Sequence, residues 1–154
     1  MRKPALSTVA LSNEGTILVF PSSVVVLGFL RDGSILLVNQ YRESANARTL
    51  ELPGGKVGDL ETPEAAARRE LREETGYRCR AMKYVCKLDL DFSVSRHQTH
   101  IFTGDLTDRK SRDETFSLKA LSLVDAVALV GSGQISHAPT VVAILWGQLN
   151  RTAL

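Results

Sequence analysis

Three glutamates, Glu70, Glu73 and Glu74, stand at spacings that put them on one side of any helix containing them. At about 100° per residue, Glu73 and Glu74 fall within about 60° of Glu70. Like charges so placed disfavour a helix by roughly 0.2–0.5 kcal/mol a pair, so the face calls for a cation. Arg69, four residues before Glu73, can pair with it and hold it in one rotamer. The oxygen ligands that remain suit a hard ion such as Mg2+ or Mn2+. Ala66 and Ala67, one turn earlier, are small enough to let the Gly54-Gly55 segment approach and offer a backbone carbonyl, and Glu61 adds a fourth acid. Taken alone, the run Arg68-Arg69-Glu70-Leu71-Arg72-Glu73-Glu74 reads more readily as a solvated helix face laced with ion pairs.

The elements that must position these residues are legible on either side. Thr62 offers an N-cap oxygen, Pro63 suits the first helical position, Glu64 complements the helix dipole and Gly76 supplies a stop, which predicts a helix from Pro63 to Thr75. Before it, Thr16 to Phe20, Ser22 to Leu30 and Ser34 to Gln40 are rich in Val, Ile and Leu and read as strands, with Asp32-Gly33 as a hairpin signal. Thr49 to Leu52 is a short strand ending in Pro53-Gly54-Gly55, read as a turn. After the helix, Met82 to Leu90, His97 to Leu106 and Thr115 to Leu121 read as strands, with Asp108 to Glu114 a polar, charged loop. Leu123, Val124, Val127 and Val130 mark a helix closed by Gly131; Val141 to Leu149 mark another, started by Pro139. The expectation is one α+β domain over residues 1–154, a mixed sheet with helices on its faces.

Composition narrows the class. At 154 residues there is room for one ordinary core and not two. A net charge of +2, with basic residues interleaved with acids, gives no basis for a nucleic-acid partner. No apolar run reaches the ~20 residues of a membrane span, and no signal-peptide core precedes Ser12, so a cytoplasmic location is expected. Cys79 and Cys86 lack zinc-site spacing and read as free, buried thiols.

The segment from Gly55 to Tyr77 runs Gly55, five residues, Glu61, seven residues, Arg69-Glu70-Leu71, one residue, Glu73-Glu74, one residue, Gly76, then Tyr77. It resembles the signature of the Nudix hydrolases at every charged and glycine position. Chance agreement at one start point is on the order of 10^-9 from average residue usage. The one departure is Tyr77, where the family usually has an aliphatic residue. The resemblance implies the Nudix fold, an α/β/α sandwich, and a Mg2+- or Mn2+-dependent hydrolysis in which water attacks one phosphorus of a diphosphate. By position it implies Glu70 and Glu74 as main metal ligands, Glu73 as a further one, the Gly54 carbonyl as a backbone ligand, Arg69 orienting the glutamates and Glu61 in an outer shell. No Ser, Cys or His nucleophile is then needed. His97 and His100 read as structural or substrate-adjacent, and His137, in a polar loop, is given no role. The family's general base often comes from a later loop, and Glu114 is the candidate, though a solvated loop acid fits the charge pattern equally.

Gln40-Tyr41-Arg42 followed by Glu51-Leu52-Pro53-Gly54-Gly55 resembles the stretch leading into the box in the ADP-ribose and nucleoside-diphosphate-sugar pyrophosphatase branch. Tyr41, Arg42, Glu51 and Gly55 are accordingly expected on the substrate side: Tyr41 stacking on a base, Arg42 on a phosphate. A strand end with a snorkelling arginine is the other reading of Arg42. Phe92 to Ser95 lacks the proline that the ADP-ribose subgroup carries there, which leaves the sugar open. Members of that branch commonly dimerise by exchanging N-terminal strands, so the resemblance implies a homodimer, although the stretch before Val24 is short for such an exchange. A nucleoside-triphosphate pyrophosphohydrolase and a nucleotide-sensing module without activity are the alternatives; the second is disfavoured because no box glutamate is missing.

Overall fold

The computed structural model describes residues 8–12, 15–107 and 116–150. Its strands are β1 (Thr8–Ser12), β2 (Gly15–Val19), β3 (Ser23–Phe29), β4 (Ile35–Arg42), β5 (Ala47–Glu51), β6 (Gly54–Lys56), β7 (Lys83–Asp89), β8 (Ser95–Arg96), β9 (Gln98–Asp105) and β10 (Ser117–Leu121). The helices are α1 (Pro63–Thr75), α2 (Leu123–Gly131) and α3 (Ala138–Leu149), with a single 3-10 turn at Glu43–Ala45.

The main sheet runs β10-β4-β3-β9-β7, with β5 continuing from β4 and β6 from β3. β3 and β9 are parallel, from Ser23 beside Thr99 to Phe29 beside Asp105, and the other pairs in this sheet are antiparallel. The unbroken apolar run of β3 has a direct cause, because the strand is buried on both faces. Val25 and Leu27 join Ile35, Leu37 and Ile101 against Leu123, Ala126, Ala143 and Ile144 of α2 and α3. Val24 and Val26 join Leu36 and Phe102 against Ala66, Ala67 and Leu71 of α1. Two cores on opposite faces make the α/β/α sandwich that the sequence predicts.

α1 has the predicted limits. Thr62 Oγ1 accepts the Ala65 N–H at 3.2 Å, and Gly76, at φ 74°, donates its N–H to the Arg72 carbonyl. Asp32 closes the β3–β4 connection by accepting the Ser34 N–H at 3.0 Å.

Two features differ from the sequence reading. Gly54 and Gly55 form no turn; they lie in β6, antiparallel to Ser23–Val25, and neither has a positive φ. Close approach is what they provide: a Cβ on Gly54 would meet the Val24 carbonyl, and one on Gly55 would meet the Glu70 carboxylate. A second, three-stranded sheet, β1-β2-β8, was not foreseen, since β8 is two residues long and carries no pattern. The charged stretch 108–114, with Glu114, lies outside the described residues. Cys79 is buried, Cys86 is partly buried, and both are free thiols, as expected.

Candidate active site

α1 carries its acidic face along one edge of the core contact that Ala66, Ala67 and Leu71 make. Glu74 sits deepest, 7% exposed, and accepts the Gly54 N–H at 2.9 Å. Burial raises its pKa to about 7; the Gly54 N–H and Arg42 pull the other way, while the charges of Glu70 and Glu51 add to the rise. A carboxylate this poorly solvated and flanked by other acids is an uncompensated negative site.

Arg69 organises the rest. Its Nε and Nη2 hold Glu61 in a fork at 3.0 and 2.8 Å, its Nη1 donates to Glu70 at 2.6 Å and to Glu73 at 3.3 Å, and its Nη2 reaches the Lys56 carbonyl at 3.0 Å. The helical spacing foresaw the Glu73 pair, which is the longest of these contacts. Its main partner is Glu61, brought back by the loop before the helix and fixed by the Gly58 N–H at 2.9 Å. Arg69 and that N–H hold the Glu61 carboxyl down at about 2. One guanidinium thus ties the loop, β6 and the helix face into a unit.

Among the described residues, no three acidic, His or Cys side chains converge as a ready-made metal cage. A Mg2+ ion does not require one, since it typically takes one or two carboxylates and completes its shell with water and phosphate oxygens. Glu74 and Glu70, with Glu73 exposed beside them, fit that demand, and the excess acid around Glu74 is what a divalent ion would neutralise. Gly54, bonded to Glu74 through its N–H, is placed beside these carboxylates.

Gly54 and Gly55 also stand in the wall of a groove of about 300 Å3, whose polar lining includes Arg42, Glu51, Lys56, His97 and His137. Two larger hollows, of about 380 and 390 Å3, contain neither glycine. Period two on β5 puts Thr49 and Glu51 on one side, and the register that sets Val38 opposite Glu51 sends Arg42 to that side as well. Arg42 Nε and Nη2 donate to the two Glu51 oxygens at 2.9 and 2.7 Å, and Thr49 Oγ1 donates at 2.6 Å. Glu51 is 3% exposed. Burial alone would raise its pKa, but the bonds from Arg42 and Thr49 and the field of His137 outweigh it and leave the carboxyl below its usual range.

Tyr41 points to the opposite side of β4, exposed, with its hydroxyl donating to Asn46 Oδ1 at 2.5 Å. Arg42, Glu51 and Gly55 therefore share the groove, and Tyr41 stands apart from them. His97 packs on Phe20 at 5.3 Å between centroids and lies 3.4 Å from Ser23 Oγ, whereas His100 packs beside Tyr84. His137 was given no role by the sequence, yet its Nδ1 is 2.9 Å from Thr140 Oγ1 and 3.4 Å from Glu51 Oε2. The only sequence signal for it was the pair of polar residues three apart at the start of α3.

The NUDIX domain family model matches residues 19–141. The ADP-ribose pyrophosphatase of Bacillus subtilis (strain 168) is 31% identical over 144 residues, covering 90% of this chain and 78% of that protein. The methanol dehydrogenase activator of Bacillus methanolicus is 29% identical over 135 residues, covering 84% and 73%. A solved structure of an ADP compounds hydrolase superposes with a TM-score of 0.75 over 96% of each chain, at 17% identity, which is a likeness of fold.

Proposed function

The chain belongs to the NUDIX domain family, and from that premise we propose that it is a divalent-metal-dependent hydrolase that cleaves the diphosphate of ADP-ribose or a nucleotide sugar. The observation that carries the reading is Glu74, a buried carboxylate with a pKa raised to about 7 that accepts the N–H of Gly54, a glycine in the wall of the groove that also holds Arg42 and Lys56.

In this reading Glu70 and Glu74, with Glu73 and the Gly54 carbonyl, would hold Mg2+ or Mn2+, which would supply neutralisation of phosphate oxygens and a lower pKa for the attacking water. Arg69 is a positioning residue: it restrains Glu70 and Glu73 and locks them to Glu61 in the outer shell. Arg42 uses Nε and Nη2 on Glu51, which leaves Nη1 to donate to a phosphate, and Lys56 adds a second cation across the groove. Gly55 has no side chain to obstruct the approach between groove and carboxylates. Glu114 is assigned as general base on its sequence position alone, and Tyr41 as a base-stacking residue on its exposure at the end of β4.

The substrate side rests on the Gln40-Tyr41-Arg42 and Glu51-Leu52-Pro53-Gly54-Gly55 stretches and on the activity named for the Bacillus subtilis relative. A cytoplasmic homodimer without a nucleic-acid partner belongs to the same proposal. Among the described residues, no helix is long and apolar enough to cross a membrane.

Product analysis with Mg2+ on ADP-ribose, other nucleoside diphosphate sugars, dinucleotides and nucleoside triphosphates tests this reading. The expected products are a nucleoside monophosphate and a sugar phosphate. Release of pyrophosphate from triphosphates alone would overturn the substrate side, and turnover of no compound would overturn the hydrolase.

A further inference from the structure

The stretch Glu51-Leu52-Pro53-Gly54 joins β5 to β6, and each of its residues is held from a different element. Glu51 accepts from Arg42 of β4, the Pro53 carbonyl accepts the Val26 N–H of β3 at 2.9 Å, and Gly54 donates its N–H to Glu74 of α1. Leu52, 2% exposed, lies outside the ladders of both strands, so its N–H has no strand partner. That N–H donates to Thr140 Oγ1 at 3.0 Å. Thr140 is fully buried in the first turn of α3, the helix layer on the face of the sheet opposite α1. Having accepted from Leu52, its own O–H is left to donate to His137 Nδ1 at 2.9 Å.

What this bond fixes follows from its place in the chain. Leu52 stands one residue after Glu51, the anchor of Arg42 in the groove, and two before Gly54, whose N–H meets Glu74. Peptide units are planar and of fixed length, so a shift at Leu52 is passed to both sides. A buried N–H left without a partner costs more than a hydrogen bond is worth, so a chain deprived of Thr140 Oγ1 moves Leu52 toward water. Gly54 and Glu51 then move with it.

Resting on the metal site of the hydrolase reading above, we propose that Thr140 is a positioning residue: through the Leu52 N–H, α3 sets the place of Gly54 at the metal site and of Glu51 in the groove together. Thr140 is itself fully buried and stands outside the groove wall, so it acts through Leu52 and not on a ligand. The two helix layers thereby meet in one four-residue stretch, α3 holding it at Leu52 and α1 at Gly54.

Thr140→Val keeps the shape and removes the acceptor, whereas Thr140→Ser keeps the acceptor. Mn2+ affinity is read without substrate, from the electron paramagnetic resonance of the free ion, and KM and kcat for ADP-ribose are read beside it in saturating Mg2+. Thr140→Val is expected to weaken Mn2+ binding by about 10-fold, the lower end of what outer-shell partners cost, and to raise KM as well. Thr140→Ser should recover most of both. Thr140→Cys, whose sulfur is a weak acceptor, should fall between them and serves where the valine variant does not fold. Amide hydrogen exchange of Thr140→Val should quicken at Leu52 and Gly54 and stay as in the parent at Ile101 of β9. Leu123→Val, a core change on α2 beside Gly147, controls for lost stability: it should melt lower and keep the parent's Mn2+ affinity and KM. If Thr140→Val only melts lower, as Leu123→Val does, the inference is overturned and the hydrolase reading stands. The same holds if His137→Ala reproduces the whole Mn2+ loss, since the effect then runs through the ring and not through Leu52. A parent that binds Mn2+, with Thr140→Val binding about 10-fold more weakly, but that turns over no diphosphate compound upholds the positioning and overturns the hydrolase. A parent that binds no Mn2+ overturns both.

Discussion

Glu74→Gln is expected to lower kcat for diphosphate hydrolysis by at least about 100-fold, more than the loss of an outer-shell partner of a metal ligand usually costs. Gln keeps the shape and an oxygen to accept the Gly54 N–H, so the fold persists while the charge is lost. The same variant has a signature without substrate. Burial, with Glu70 and Glu51 nearby, raises Glu74 to about 7 in the folded protein, above its unfolded value near 4.5. A raised carboxyl pKa means the folded state holds the extra proton between those values. The stability it carries is complete below about 4.5 and is lost as pH rises to about 7. The cost at pH 8 is on the order of 1–3 kcal/mol. Metal-free Glu74→Gln should therefore melt higher than the metal-free parent at pH 8, and the gap should close at pH 4.5. A cation that displaces this proton binds better as pH rises through 7, so Mn2+ or Mg2+ should raise the parent's melting temperature more at pH 8 than at pH 6. Scanning calorimetry at the two pH values, with and without metal, reads all of this. A full metal response in the variant would sink the assignment of Glu74 as a ligand.

Replacing Arg69 should have the next largest effect. Its five donors serve Glu61, Glu70, Glu73 and the Lys56 carbonyl together, which no other side chain here can do. Arg69→Met leaves the carboxylates to repel one another, and a 10- to 100-fold fall in kcat, of the order seen for outer-shell partners, is expected. Arg69→Lys keeps the charge without the planar fork and should recover little. Glu61 and Glu73 are reached by solvent, so thermal stability should change far less than activity. The measurement that separates positioning from bulk electrostatics is the Mg2+ concentration for half-maximal rate, which should rise in both variants. Equal activity of parent and Arg69→Lys would show that charge alone matters.

How far the sequence could be read depended on whether the cause of a feature is local. The limits of α1 were legible because Thr62, Pro63 and Gly76 act on the turns beside them. β3 was legible because burial on two faces leaves an uninterrupted apolar run. Gly54 and Gly55 were expected both to turn the chain and to approach the carboxylates of α1; the approach is found and the turn is not, because contact with Val24 and Glu70 rather than a positive φ is what requires glycine there. The box glutamates could be placed on one helix face, yet the chief partner of Arg69 lies on a loop that no helical wheel includes. The surroundings of His137 were missed entirely, because they depend on Glu51 and Thr140 meeting it at a point where β5 and α3 come together. Period two separated Tyr41 from Arg42, which the adjacent letters do not show.

The proposed divalent-metal site for diphosphate cleavage, made by the carboxylates of α1 with the Gly54 carbonyl of β6, is tested most directly on chelator-stripped protein. Hydrolysis of ADP-ribose is followed by phosphorus NMR as Mg2+ is titrated back. The stripped protein is expected to show no turnover, and then a saturable rise producing AMP and ribose 5-phosphate in equal amounts. Turnover that persists in excess chelator, or that Mg2+ and Mn2+ leave unchanged, would contradict it.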